Sequence, residues 1–384
     1  MQGFYLHVPF CAKICDYCDF RVLPSFSKLF EEYAQLACEE IEIFEKRHPG
    51  CLNKIDTVYF GGGTPSILPP EILQRIVSFL SDKGLCFSQL KEFSMEFNPE
   101  SCTEESVENA LSCGVKRISL GLQSLHPELL LKIGRSHSVE EGLRALKLLT
   151  STQGIQINAD LMFNLPSQKV QDFLDDLDRL TDFPLHHVSF YGLNIAERTR
   201  LAHRISRGEI AVDETLYEEM YCKGVELITS KGFSRYEVSN FCKPHCESLH
   251  NMNYWNRGEY LGIGPGAHSY WDGKRFNAPE IYPRWREFVK NGCPKKGYTE
   301  DSLNDEDIWT ELVWLSLRQV SGLDLEMLSK MNVELPEKCY KKWLDKGFLV
   351  CDKNHLRLFG RGWIFMDSIV TDIISEYIPS WNIR

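Results

Sequence analysis

No stretch of the 384 residues approaches the roughly 18 consecutive apolar residues of a membrane-crossing helix. No integral membrane segment is therefore expected. The opening residues, Met1 to Phe10, lack a basic start, a sustained apolar run and a small-residue cleavage site, which speaks against a secretory signal. Positive charge is also scarce: 43 Lys and Arg face 54 Asp and Glu, for a formal net of −11. That balance disfavours general nucleic-acid binding, which relies on basic surfaces. Internal repeats and low-complexity segments are missing, which excludes solenoid and fibrous designs. What remains is a globular chain of one large domain and a smaller one, or two to three modest ones, long enough to bury a core without disulfides.

Cysteine, by contrast, is plentiful, with fourteen in the chain. The missing signal points to a cytoplasmic setting, where thiols stay reduced and clustered cysteines bind metal or do chemistry. One cluster stands out: Cys11-Ala12-Lys13-Ile14-Cys15-Asp16-Tyr17-Cys18, a CxxxCxxC run directly after the first predicted strand. Chance places three cysteines at fixed spacing only about 0.02 times in a chain of this composition. Three thiolates on one loop can ligate three irons of a 4Fe-4S cube and leave the fourth open to a substrate or cofactor. A zinc site is the alternative, but it wants a fourth ligand. The nearest, His7, lies within a predicted strand, and paired C-x-x-C knuckles are missing.

Short β-rich runs alternate with amphipathic ones over the first half of the chain. Strands are predicted at Phe4 to Val8, Ile55 to Phe60, Glu92 to Phe97, Arg117 to Leu122, Ile155 to Met162 and His187 to Tyr191. Helices are predicted near 27–47, 69–83, 103–113, 138–150, 169–181 and 213–231, with Pro70 at one entry and Gly232 past the last exit. Six β/α units in a row imply an α/β fold with a parallel sheet. Residues 1–235 form that core. A turn-rich, aromatic segment over 236–300 is expected to pack on it. Residues 301–384 read as a small winged-helix-like unit with helices at 305–320, 323–331 and 336–346 and a hairpin turning at Asp352 to Asn354. This tail carries ten basic against fourteen acidic residues, so a DNA-binding wing is disfavoured.

Several residues sit where a ligand would meet the sheet. Gly61-Gly62-Gly63-Thr64 follows the second strand, and glycines let backbone approach a ligand closely; alone, the cluster reads as a tight turn. Glu96, Gln123 and Asp160 lie near the ends of the third, fourth and fifth strands, the face at which β/α barrels bind ligands; each alone reads as a helix cap or salt bridge. Arg135 can pair with a carboxylate, or be a solvated surface arginine. His250-Asn251-Met252-Asn253-Tyr254-Trp255 offers an exposed imidazole flanked by aromatic rings that can cover a porphyrin; the alternative is a histidine hydrogen-bonded beside core aromatics. Cys242 and Cys246 have donors enough for a metal but are not read as ligands, nor is Cys293; Cys38, Cys102 and Cys113 read as packing residues.

The CxxxCxxC run with Tyr17 before its last cysteine, the glycine cluster one β/α unit later, and the polar strand ends resemble the radical S-adenosylmethionine (SAM) superfamily. That resemblance implies a partial (β/α)6 barrel and a 4Fe-4S cluster on Cys11, Cys15 and Cys18. It also implies SAM held by Tyr5, Tyr17, Gly62, Gly63, Thr64, Glu96, Gln123, Arg135 and Asp160. Tyr5-Leu6-His7-Val8-Pro9-Phe10, Asp19-Phe20, the His250 motif and Gly262-Ile263-Gly264-Pro265-Gly266-Ala267-His268-Ser269 narrow it to the family of HemW-type heme chaperones, related to the oxygen-independent coproporphyrinogen III oxidase. The expected cofactors are then the cluster, SAM and heme, with His250, Tyr254 and Trp255 as heme residues. Heme-accepting proteins such as respiratory enzymes are the expected partners, with room for a homodimer. The oxidase has a further cysteine where Phe20 stands, and an extension ahead of the position of Tyr5. Both differences place the decarboxylation of coproporphyrinogen second to heme handling, and leave open whether the chain is an enzyme.

Overall fold

A computed structural model describes residues 1–24, 27–301 and 303–379. Six parallel strands run in chain order across its centre: β1 Gln2–Val8, β2 Thr57–Gly62, β3 Glu92–Phe97, β4 Arg117–Gln123, β5 Gln156–Phe163 and β6 His187–Gly192. Helices α1 Lys28–Arg47, α2 Pro70–Asp82, α3 Glu104–Ser112, α4 Val139–Ser151 and α5 Val170–Thr181 return the chain between them. Local chemistry sets their starts. Thr103 and Ser138 each accept a hydrogen bond from the backbone three residues on, at Ser106 and Glu141, closing capping boxes. Helix α6, Tyr217–Ser230, stops before Gly232, whose φ of +82° only glycine adopts without strain.

Strand alternation divides the labour of the sheet. Phe4, Leu6 and Val8 of β1, Val58 and Phe60 of β2, and Ile118, Leu120 and Leu122 of β4 are all buried in the main core. The intervening positions are mostly polar, with glycines and Met162 among them. They carry Tyr5 and His7, Ser94 and Glu96, Ser119 and Gln123, Asn158 and Asp160, then Ser189. A barrel lumen is ordinarily packed with branched apolar side chains; this one is lined with hydrogen-bonding groups.

The segment over 236–300 was expected to be turn-rich and to pack on the core. With Ser234–Arg235 just ahead of it, it instead extends the sheet on both sides. Beyond β6 lie β7 Ser234–Arg235 and β8 Asn240–Cys242, with β8 antiparallel to β6. Beyond β1 lies β9 Glu259–Ile263, parallel to it, then antiparallel β10 His268–Trp271, β11 Lys274–Asn277 and β12 Thr299–Asp301. The result is an open twelve-stranded sheet among the described residues, with a partial (β/α)6 barrel at its centre. These strands hold two to five residues each, too short for a period to register in the sequence. Buried Glu40 of α1 fixes the exit from β9, accepting from Gly264 N and from Trp285 Nε1, each at 2.9 Å.

The tail has its own core around Trp309, Leu323, Leu356 and Ile369. Its hairpin pairs Leu349–Asp352 with His355–Leu358 across Lys353 and Asn354, both at positive φ, the primed geometry of two-residue turns. A helix over Met366–Glu376 closes the unit. Its contact with the barrel includes Arg318, which donates through Nε and Nη2 to the fully buried Glu237 at 3.2 and 3.0 Å.

Candidate functional site

The cysteine loop leaves β1 at the C-terminal mouth of the barrel and is pinned on several sides. Leu23 N donates to Pro9 O at 2.6 Å, Asp16 N to Ile133 O at 3.0 Å, and Arg204 Nη1 to Asp16 Oδ2 at 2.8 Å. All fourteen cysteines are free thiols. Cys11, Cys15 and Cys18 line one cavity of about 540 Å3 together with polar residues of β2 to β6. Thr64 Oγ1 donates to Cys11 Sγ at 3.6 Å and Arg135 Nη1 to Cys15 Sγ at 3.5 Å. Burial pushes Cys11 up to about 12 and raises Cys18. As thiolates, both would need compensating positive charge, which an iron cluster supplies.

Of the residues expected to face SAM, Tyr17, Gly62, Gly63, Glu96, Gln123, Arg135 and Asp160 line this cavity. Two do not. Thr64 is 2% exposed and bonded between Asn98 and Cys11. Tyr5 faces a neighbouring cavity and meets His7 Nδ1 at 3.1 Å. Asp160 sits three residues before the end of β5 rather than at its tip, because that strand continues to Phe163.

The glycines are there for space. A Cβ on Gly63 would lie 2.5 Å from Phe10 O and 2.8 Å from Val8 O, and Gly63 N donates to Val8 O at 2.7 Å. Gly62 has φ +105° and donates its N–H to Glu96 Oε2 at 3.0 Å, while Tyr59 OH donates to Oε1 at 2.8 Å. Burial, with Asp160 adding to it, pushes Glu96 up to about 7. Gln123 ends β4 at φ +71° beside a register shift, an uncommon conformation for a non-glycine residue and of the kind that collects at functional sites.

Arg135 is 8% exposed, which removes the surface reading. Its Nη2 donates to Asn98 Oδ1 at 2.8 Å and to Gly121 O at 2.5 Å, while its Nε is buried with no described hydrogen-bond partner. An unsatisfied guanidinium N–H beside three thiols fits a carboxylate-bearing ligand at the cluster.

Sequence reasoning missed the floor of this cavity. Asn158 Nδ2 donates to Ser119 Oγ at 2.6 Å and Asp160 Oδ1 at 2.7 Å, and its Oδ1 meets His187 Nδ1 at 2.6 Å. Polar residues at alternate positions inside buried strands were the available signal.

His250 requires a correction. It was expected exposed, but it is fully buried on the short helix α7, Leu249–Trp255. Its Nδ1 meets Thr57 Oγ1 at 2.9 Å, its Nε2 meets Tyr254 OH at 2.7 Å, and its ring stacks on Tyr59. Helix α7 plugs the lumen, with its first turn held by Glu92: Ser248 Oγ donates to Oε1 at 3.1 Å and Leu249 N to Oε2 at 2.7 Å. The imidazole is part of a packed floor, and neither nitrogen is free for iron. Tyr254 and Trp255, however, line a second cavity of about 590 Å3, which shares Asp19 and Phe20 with the first. Cys242 is buried on β8, and Cys246 Sγ donates to Pro244 O.

The Radical SAM superfamily model matches residues 5–180. A Lactococcus lactis protein named heme chaperone HemW is 31% identical over 94% of this chain and 93% of its own length. Its Mycobacterium tuberculosis namesake is 32% identical over 97% and 94%. Among solved structures, coproporphyrinogen III oxidase HemN of Escherichia coli superposes with a TM-score of 0.84 at 17% identity, covering 98% of this chain and 90% of that one, a likeness of fold. At these identities over nearly the whole of each chain, the protein belongs to the HemW-type family of the radical SAM superfamily.

Proposed function

We propose that the chain is a heme chaperone that holds a 4Fe-4S cluster and SAM at the barrel mouth, binds heme and passes it to acceptor proteins. The observation that carries the reading is the polar lumen ending in three buried or half-buried thiols, beside a second cavity walled by aromatic and arginine side chains. Cys11, Cys15 and Cys18 would hold the cluster. Glu96 and the Gly62–Gly63 backbone would take the amino group of SAM, and the free Nε–H of Arg135 its carboxylate. When bound, that pair supplies one-electron chemistry. Respiratory enzymes in the cytoplasm or at its membrane are the proposed acceptors, and a homodimer is compatible with the reading. No described helix is long and apolar enough to cross a membrane.

The test is anaerobic reconstitution followed by two measurements on the same sample. Heme titration should saturate at one equivalent per chain. Coproporphyrinogen III supplied with SAM and reductant should not be consumed. Catalytic loss of coproporphyrinogen would replace this reading with the oxidase. Iron and sulfide contents unchanged on replacing Cys11, Cys15 and Cys18 by alanine would remove the cluster.

A further inference from the structure

The second cavity adjoins the first, sharing Asp19 and Phe20 of the cysteine loop with it, and lies between that loop, Tyr5 and His7 of β1, and strands β9 and β10. One wall is aromatic: Tyr254, Trp255 and Tyr260, with Phe20, 62% exposed, facing in from the loop. Four arginines reach it. Arg257 and Arg275 are largely covered and share Glu311, at 3.1 and 2.5 Å. Arg21 and Arg198 stand at the rim, Arg21 paired with the exposed Glu280 and Arg198 donating to both the carboxylate and the backbone carbonyl of the exposed Asp19; both acidic residues also line the cavity. Exposed pairs of that kind are worth little and exchange readily for a better-placed carboxylate. His268, the first residue of β10, is exposed at the same cavity, and its ring makes no hydrogen bond to a described residue. His7 also lines it, but is 7% exposed with Nδ1 against Tyr5 OH.

A flat aromatic surface, an uncommitted imidazole and two rim guanidiniums match one ligand chemistry: a planar metalloporphyrin with two carboxylates. A volume of about 590 Å3 is within the range of cofactor sites, of order 300–1,000 Å3. We propose that this cavity is the heme seat and that His268, rather than His250, donates the imidazole lone pair to the iron, with Arg21 and Arg198 meeting the propionates. The proposal rests on the heme-binding reading above and gives it an address. Forming the bond displaces one axial ligand of the iron and transfers no electron. His250 then acts as a positioning residue, holding the hydroxyl of Tyr254 in the cavity wall. Phe20 stands between porphyrin and cluster cavity, two residues from Cys18.

The experiment titrates ferric heme into the full reconstituted chain, followed by absorption and electron paramagnetic resonance for the axial ligand. His268→Ala should lose the histidine-ligated signature and bind at least ten-fold more weakly, and added imidazole should restore the signature. His250→Gln should keep it in the folded fraction, measured by circular dichroism and iron content. Arg21→Ser with Arg198→Ser should weaken heme but not its dimethyl ester. An unchanged spectrum and affinity in His268→Ala, where the wild-type chain binds heme, overturns the site and leaves the functional reading standing. No stoichiometric binding by the wild-type chain overturns both.

Discussion

Gly63→Ala is the most direct probe of how the sheet positions the cysteine loop. The new Cβ would sit 2.5 Å from Phe10 O and 2.8 Å from Val8 O, against an ordinary contact of about 3.4 Å. Both neighbours are backbone, so no side chain can swing away. Either the glycine turn or the Phe10 peptide must move by about 0.9 Å, and the next residue is Cys11. Overpacking of this kind costs about 1–3 kcal/mol. Stretching the bond from Gly63 N to Val8 O adds about 0.5–1.5 kcal/mol. A total of roughly 2–4 kcal/mol, set against an unfolding entropy of roughly 0.8 kcal/mol/K for a chain this long, lowers Tm by about 3–5 °C. Iron per chain after reconstitution should fall below about half of the wild-type value. Gly154→Ala is the control: φ there is +81° but nothing lies within 4 Å of the new Cβ, so it measures conformational strain alone and should leave the iron content intact. A Gly63→Ala protein with wild-type Tm and iron content would refute the claim that this close approach seats the cluster loop.

Glu40→Gln should change how stability depends on pH. Burial raises Glu40 to about 7, so its ionisation in the folded chain works against folding: stability is lost as pH rises from its unfolded value near 4.5 through about 7, by roughly 3 kcal/mol. The glutamine variant should match wild type at pH 4.5 and exceed it at pH 8 in urea unfolding; equal curves at both would contradict this. Arg135→Met should weaken SAM binding by about ten-fold or more in calorimetry and shift the cluster potential to more negative values, since a guanidinium beside Cys15 Sγ favours the reduced, more negative cluster. Unchanged potential and affinity would place Arg135 outside the site. Glu237→Gln leaves Arg318 without its anion; breaking a buried pair costs about 3–5 kcal/mol, and limited proteolysis should then separate the tail from the barrel, whereas an undigested variant would contradict the assigned role.

The parallel core was legible because it obeys periodicity. The strand predicted over Glu92 to Phe97 coincides with β3, and the expected bounds of α1 to α5 lie within one residue of those observed. The cysteine loop and most of the lumen residues were legible because they follow strands at fixed offsets. Thr64 and Tyr5 lie beside the cavity rather than in its wall: Thr64 is tied up between Asn98 and Cys11, and Tyr5, on the same strand face as the lumen residues, lies next to Tyr59 and opens onto the neighbouring cavity. The edge strands, α7 and the Asn158 network were not legible, because they depend on pairing between segments far apart in the chain. Asn158 bonds to His187, 29 residues on, and Glu92 holds a helix more than 150 residues away.

The burial of His250 alters what a mutant phenotype at that position would mean. Its ring fills the space between Tyr59 and Tyr254 and satisfies Thr57. Truncation to alanine would open a cavity, at a cost of about 2–5 kcal/mol for a large buried side chain, and would leave Thr57 without its partner. It would also free the Tyr254 hydroxyl and let the aromatic wall of the neighbouring cavity shift. Heme binding would weaken in that variant whether or not the imidazole ever touched iron. Affinity alone therefore cannot distinguish a ligand from the floor beneath the site. The axial-ligand signature can, because it follows the atom bonded to the metal and is indifferent to how well the wall is packed.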